Sequence, residues 1–318
     1  KTQRYCILSI SLLLNGTFIA AGRNKNRKFC TQISSYSIHA ECNYNRNGTV
    51  GVKGVIIRMK CYEIIEKLES LSPTAFAEEW DNIGLLAGRR DKEVETVYIA
   101  LDATEDVIEE AVNLGADLLL THHPLIFKKL DRINTDDFIG RRVYQLIRND
   151  ICYYAMHTNF DVMGMADAAA DELSICEREV LCVTYEDDIS KEGCGRVGKL
   201  PKRMSVADLA AFVKARFHVP NVRVFGDMGD IVEVAAVMPG SGGSYIKNAV
   251  NAGADVMITG DIDHHEGIDA VAQGLTIIDA GHYGIEKIFI SYMEDFMKRE
   301  LPELCIYKTE IKEPFAVI

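Results

Sequence analysis

The sequence predicts an α/β fold, sheet covered by helices, on three observations. Strand-like apolar runs and amphipathic helical stretches alternate from 94 to 155, the rhythm of a β-α-β-α-β unit. A helix-Gly-strand joint occurs twice: Asn113-x-Gly115-Ala116-Asp117, three apolar residues and Thr121, then Asn251-x-Gly253-Ala254-Asp255, three apolar residues and Thr259. Dense polar clusters stand at the ends of predicted strands, where α/β proteins keep their chemistry. The repeated joint is either a recurring local device or the mark of two related lobes that face one another.

The elements follow in order. Residues 61–71 read as a helix stopped by Ser72-Pro73, and 75–79 as a short second turn. A strand over 94–101 leads to Thr104, which caps a helix running to Asn113 and ending at Gly115. The buried strand 117–121 stops at Pro124, which cannot continue a central strand. A helix over 139–148, a strand over 151–155 and a helix over 165–173 follow. Residues 176–186 read as a strand and its exit, and 194–200 as a short Gly-interrupted strand. Ser205 caps a helix to about His218. Strands are expected at 222–225 and 231–237. The Gly-rich 239–244 leads into a helix ending at Gly253 and reads either as a plain loop or as a small anion-binding nest. Strands at 254–259 and 275–280 flank a helix at 262–273, and 285–299 is a terminal helix.

The charge is unevenly spread. The 318 residues carry a net −12, yet residues 1–58 hold nine Lys/Arg against one acidic residue. The remainder is therefore strongly acidic, which argues against general affinity for a nucleic-acid backbone. Residues 1–58 also contain no methionine, and Met59 directly precedes the first amphipathic helix. The expectation is that the working sequence begins near Met59, after an atypical basic leader that is either translated upstream sequence or a targeting segment. The apolar run over 6–14 is far too short to span a bilayer, and the basic stretch 23–28 has weak transit-peptide character. Asn15-Gly16-Thr17 and Asn47-Gly48-Thr49 match the glycosylation pattern, which matters only for a secreted chain. The nine cysteines include no Cys-x-x-Cys pair, so free buried thiols and a cytoplasmic setting are expected.

The chemistry lies in three clusters that hold four of the eight histidines. His122 and His123 follow a strand directly. On a regular strand they would point to opposite faces, but at a tip turning into a proline loop they can diverge toward two neighbouring ions. Hydrogen-bonding histidines are the alternative reading. His282 and Glu286, four residues apart at a helix start with glycines on either side of His282, can converge across one turn. Glu286 either bridges two cations or interacts with the helix dipole. His157 and Asp161 repeat that spacing in an expected loop, with Asp161 a ligand and His157 either a ligand or its support. Five candidate ligands, His122, His123, Asp161, His282 and Glu286, suit two Zn, Fe, Mn or Ni ions better than one ion or an iron–sulfur cluster. No Walker lysine, Gly-x-Ser-x-Gly elbow or His-Glu-x-x-His helix is present.

Trp80-Asp81-Asn82-Ile83-Gly84-Leu85, Leu120-Thr121-His122-His123-Pro124-Leu125-Ile126-Phe127, His157-Thr158-Asn159-Phe160-Asp161, Gly260-Asp261 and Gly281-His282-Tyr283-Gly284-Ile285-Glu286-Lys287 together resemble the Nif-three-like dinuclear-metal-centre proteins, also called type-two GTP cyclohydrolases. The resemblance spans roughly 59–310 and fits the short form without an inserted domain. It implies two facing α/β lobes with the metals in the cleft between them, a first lobe over 59–182 completed by 272–318 and a second over 183–271. It implies the same five ligands with Glu286 bridging, and a hexameric ring. His265 matches a histidine that could contact substrate, with His264 weaker, and His157 or His265 could shuttle a proton. The activity implied is opening of the guanine imidazole ring of GTP by a metal-activated water. A metal-storage or chaperone protein, or a regulatory interaction ring without turnover, is the alternative. No membrane partner is expected.

Overall fold

The structure, a computed structural model, describes residues 58–318 in full. Before them it describes the backbone of three strands, Lys28–Ile33, Tyr36–Tyr44 and Val50–Lys60. The apolar run at 6–14, the stretch 23–27 and both Asn-Gly-Thr triplets lie outside the described residues. The chain divides into two compact units at Arg58 and Met59. In the first unit, Lys28–Ile33 pairs antiparallel with Tyr36–Tyr44, which pairs antiparallel with residues 50–58 of the third strand.

The unit Met59–Ile318 is built on two sheets. The first has the order Cys305–Lys308, Thr96–Ala100, Leu118–Thr121, Cys152–Ala155, Gly84–Ala87. Its first four strands run parallel and the last antiparallel. The second has the order Arg223–Phe225, Thr276–Asp279, Val256–Gly260, Ile231–Ser241, Lys191–Ser205, Cys176–Glu186. Its three parallel strands sit inside antiparallel edges. Thr276–Asp279 and all of Cys176–Glu186 thus belong to the second sheet, so strand pairing divides the chain differently from the lobe limits expected at 182 and 272.

Parallel strands covered on both faces need apolar residues on both. The consecutive pair Met257 and Ile258 shows how this is met. Ile258 packs with Val237 and Ile278 against Leu209, Val213 and Phe217 of the helix region after Ser205. Met257 packs with Ile277 against Ile246, Ala249 and Ala270. In the first sheet, Tyr98, Leu119 and Tyr153 meet Ile108 and Val143 from the helices Glu105–Asn113 and Phe138–Arg148.

The helix-Gly-strand joint recurs in three dimensions. Gly115 and Gly253 both take left-handed backbone, φ 66° and 73°, which ends the helix at no steric penalty. The aspartates that follow then do the same work. Asp117 Oδ2 accepts from the amides of Glu95 and Thr96, and Asp255 Oδ2 from those of Glu233 and Val234. Each carboxylate ties the start of one parallel strand to its neighbour.

Several elements depart from expectation. The helix expected at 165–173 begins at Thr158 and passes through a π-helical turn, Asp161–Met165, before continuing as Ala166–Glu172. Asp161 is therefore helical and not in a loop. The short strand expected at 194–200 is part of a long one, Lys191–Ser205. Strand Ile231–Ser241 extends into the Gly-rich segment. The terminal helix is two consecutive pieces, His282–Glu286 and Ile288–Glu300, followed by the unexpected strand Cys305–Lys308. The six cysteines of residues 58–318 are all free, but only Cys61, Cys152 and Cys194 are buried. No helix among the described residues is long and apolar enough to cross a membrane.

Replacing Asp255 by Ala removes the oxygen that accepts from both amides of the second joint. Loss of about 1 to 2 kcal/mol of stability is expected from two weakened backbone donors, measured by urea denaturation of the full chain.

Candidate metal centre

The cluster forms because parallel strands deliver their carboxyl ends to one place. Thr96–Ala100 leads to Asp102, Leu118–Thr121 to His122 and His123, and Cys152–Ala155 to His157. From the second sheet, Val256–Gly260 leads to Asp261 and Thr276–Asp279 to His282. The turn after Leu118–Thr121 is held by the His123 amide on the Leu101 carbonyl (3.0 Å) and by the Tyr153 hydroxyl on the His123 carbonyl (2.9 Å). Gly281 adopts φ 79° before the single helical turn His282–Glu286, so His282 and Glu286 face the same way.

Glu286 is the centre of the arrangement. It is 3% exposed, and its two oxygens face different partners. Oε1 lies 3.7 Å from His122 Nε2, which is 3.5 Å from Asp161 Oδ1. Oε2 lies 3.0 Å from His123 Nε2 and 2.8 Å from His282 Nε2. Two donor sets, His122–Asp161–Glu286 and His123–His282–Glu286, thus share one carboxylate, with ligand atoms within 4.8 Å in each. His122, His123 and His157 form a third such group.

Each imidazole is fixed from behind. His122 Nδ1 donates to the Met156 carbonyl (2.8 Å). His123 Nδ1 donates to Asp102 Oδ1 and His282 Nδ1 to Asp261 Oδ2, both at 2.8 Å. His157 Nδ1 faces both Asp81 oxygens at 3.0 Å. Carbonyls and carboxylates only accept, so in the neutral rings the proton sits on Nδ1 and Nε2 offers a lone pair. This carboxylate–histidine pattern orients metal ligands and raises their basicity.

The residues fit a cation. His122 Nε2, Asp161 Oδ1 and Glu286 Oε2 are buried without a hydrogen-bond partner, which is costly unless a positive group answers them. His123 Nε2 and His282 Nε2 also stand 3.1 Å apart, and two lone pairs at that distance need a proton or a cation between them. Nitrogen and carboxylate donors without thiolate suit a borderline or hard divalent ion.

Protons answer the charge when no cation does. Burial pushes His123 down, but Asp102 and Glu286 outweigh it and hold the ring up to about 10. Burial likewise opposes, and Glu286 then holds, His282 up to about 9. Burial pushes both carboxyls up. For Glu286 the surrounding imidazoles, His122 first, reverse this and hold it well below the usual range. For Asp161 burial prevails over the pull of His122. Burial of Asp81 is overcome by His157 and Thr158, which hold it down at about 2.

All five expected ligands are brought together, and His157 joins their edge. His265 is not. It is exposed in the first turn of the helix His264–Ala272 and meets the His264 ring at 5.1 Å. Sequence reasoning missed Asp81 and Asp102 and gave no role to Asp261. It also missed Gly240, which lies in the Gly-rich segment. With φ 75°, a Cβ there would stand 2.5 Å from Glu286 Oε1. That glycine lets backbone pack against the carboxylate, and Gly242 and Gly243 are similarly crowded by the Thr259 and Glu266 side chains. Asp102 and Asp261 did carry a signal. Each closes one parallel strand 21 residues before the histidine it holds at the tip of the next.

The comparisons decide the family. The family model Duf34/NIF3 (NGG1p interacting factor 3) matches residues 59–314. The chain belongs to the Duf34/NIF3 family. It is 37% identical over 265 residues to a GTP cyclohydrolase 1 type 2 homolog of Clostridium perfringens, covering 82% of this chain and all of that relative. A Bacillus cereus protein related to NIF3 superposes with TM-score 0.78 at 28% identity, covering 82% of this chain and 99% of that one. The structure of reduced HcgD from Methanocaldococcus jannaschii gives TM-score 0.70 at 33% identity, covering 80% of this chain and 100% of that one. The Duf34/NIF3 assignment thus rests on the same stretch of chain that supplies the cluster.

Two outcomes follow from this geometry. Gly240→Ala forces a Cβ against Glu286 Oε1 and strains a left-handed backbone. It should lower metal bound per chain, read by elemental analysis, while the far-UV circular dichroism is retained. The pH dependence has a definite sign. His123 and His282 are raised to about 10 and about 9 in the folded protein, against about 6.5 unfolded. The stability from their charged pairs with Glu286 is full below pH ~6.5 and is lost as pH rises through those folded values. A divalent cation must displace these protons, so its affinity rises with pH over that window. Zinc titration at pH 7.5 in two buffers of different ionisation enthalpy should show release of about one to two protons per chain.

Proposed function

We propose that this protein is a dinuclear metal-dependent hydrolase, with GTP cyclohydrolase-type opening of the guanine imidazole ring as the leading reaction. The observation that carries the reading is the division of Glu286, with Oε1 toward His122 and Asp161 and Oε2 toward His123 and His282. One carboxylate between two nitrogen-bearing sets suits two ions better than one. His122, Asp161 and Glu286 would hold the first divalent ion, and His123, His282 and Glu286 the second. Such a pair supplies Lewis acidity and a water activated near neutral pH. The name of the Clostridium perfringens relative supports GTP as the first substrate to try.

The chain's own residues supply the rest. Asp102, Asp261 and the Met156 carbonyl orient the ligand rings. His157, its Nδ1 fixed on Asp81, stands beside His122 and His123 and is positioned to move a proton to or from substrate. His265 is exposed and is not among the grouped donors, so it takes no step here. Zn, Fe, Mn and Ni all suit the donor set. A cytoplasmic hexameric ring of Met59–Ile318 units belongs to the same reading and rests on family likeness.

The test is metal content per chain followed by product analysis with GTP. About two metals and a ring-opened product are expected. Glu286→Ala should abolish turnover and reduce metal from both sets while circular dichroism stays native. Unchanged turnover with one or no metal bound would sink the reading. Reversible loading of two metals without any product would favour the storage or regulatory alternative.

A further inference from the structure

Beside the cluster stands an aromatic surface to which the chemistry above gives no role. Trp80, the chain's single tryptophan, is 59% exposed and Phe127 is 54% exposed. Their rings lie 5.7 Å apart, tilted by 47°. Each meets the His157 ring edge-on at 6.1 Å. His157 in turn lies 5.3 Å from the His122 ring and 5.6 Å from that of His123. The rings form an unbroken path from solvent to the donor groups.

Large apolar side chains normally turn inward when their loop allows it. Here the backbone on both sides is fixed. Asp81, its side chain fully buried, accepts from the Thr158 amide (3.0 Å) and hydroxyl (2.5 Å) and faces His157. The Glu78 amide donates to Thr158 Oγ1 at 3.0 Å. Asn82 Nδ2 donates to the Ile126 carbonyl at 2.5 Å, which fastens the Trp80 loop to the residue before Phe127. Leu125 is buried, with its amide on the Tyr153 hydroxyl. Both rings are thus held outward by well-anchored neighbours, as a preorganised surface requires.

The spacing fixes how a ligand can lie. A ring inserted between two others needs about 7 Å, twice a contact distance of ~3.5 Å, and 5.7 Å does not admit one. The pair is therefore a wall and not a clamp. The exposed Lys128 and Lys129 follow Phe127 directly in the chain, so two cationic residues adjoin the pair. A flat ring joined to phosphate matches this combination, whereas a purely apolar partner does not.

We propose that Trp80 and Phe127 form the wall on which the planar heterocycle of a nucleotide stacks, with its reacting edge toward His157, His122 and His123. This rests on the hydrolase reading for its choice of nucleotide. The test uses Trp80 as the built-in probe in the full, metal-replete chain. GTP and GMP should quench its emission saturably, while ribose 5-phosphate and tripolyphosphate should not. Phe127→Ala should weaken GMP binding about tenfold, the scale of one base–aromatic contact, with metal content unchanged. No quenching by either nucleotide in protein that holds its metals overturns the wall and leaves the hydrolase reading standing. Trp80 emission that is blue-shifted and shielded from iodide before any ligand is added means a second copy covers the surface, and also overturns it. Saturable quenching in a chain that binds no metal supports the wall and sinks the hydrolase reading instead.

Discussion

A carboxylate at 3% exposure is the constraint on which the rest of this structure depends. Removing such a group from water is expensive unless cations or donors surround it. Glu286 meets this demand by gathering three imidazoles that arrive from both sheets. The demand explains details with no other purpose. Strand Ile231–Ser241 carries a glycine where its backbone passes the carboxylate, and Gly260 leaves room for the His282 backbone, which a Cβ would meet at 2.4 Å. The joints at Gly115 and Gly253 set the parallel strands so that their carboxyl ends converge.

The groups behind the imidazoles differ in strength. A hydrogen bond to a charged partner contributes about 1.5 to 3 kcal/mol when shielded from water and much less when exposed. The Asp81 side chain is fully buried, while those of Asp102 and Asp261 are 45% and 56% exposed. Of the three rings held by aspartates, His157 is therefore the most firmly oriented, although it lies outside both sets that share Glu286. His123 and His282 are aimed by more exposed carboxylates and rely also on Glu286 itself. Arg196, on strand Lys191–Ser205, fastens the helix Ala166–Glu172 that follows Asp161 to the second sheet. It is 6% exposed, pairs with Asp167, and donates to the Gly193 and Gly195 carbonyls.

Much of this was legible in the chain. His122 and His123 end an apolar run too short for anything but a strand, and the spacing of His282 and Glu286 predicts one helical turn. The family resemblance named the same residues, and the Duf34/NIF3 match covers them. What escaped was set by tertiary pairing. Asp81 holds a histidine 76 residues away, a partnership no local pattern announces. Asp161 read as a loop residue because Thr158 and Asn159 are poor helix formers, and burial against the rest of the unit overrides that propensity. The Gly-rich segment read as a loop or an anion nest because composition does not reveal that its neighbour is a carboxylate. Strand Cys305–Lys308 is short and mostly exposed, so no alternation betrayed it.

The π-helical turn at Asp161–Met165 sets the phase of one ligand. Such a turn is equivalent to one residue inserted into an α-helix, tolerated where function needs it. Deleting a residue there would restore regular hydrogen bonding and strengthen the helix locally. It would also rotate Asp161 by about 100° relative to Ala166–Glu172, the angle of one helical residue. The carboxylate would leave His122, whose Nε2 it now faces at 3.5 Å and which has no hydrogen-bond partner. Chain length in this segment is therefore under opposing demands, with local helical stability favouring one residue fewer and the buried donor set requiring the residue to stay.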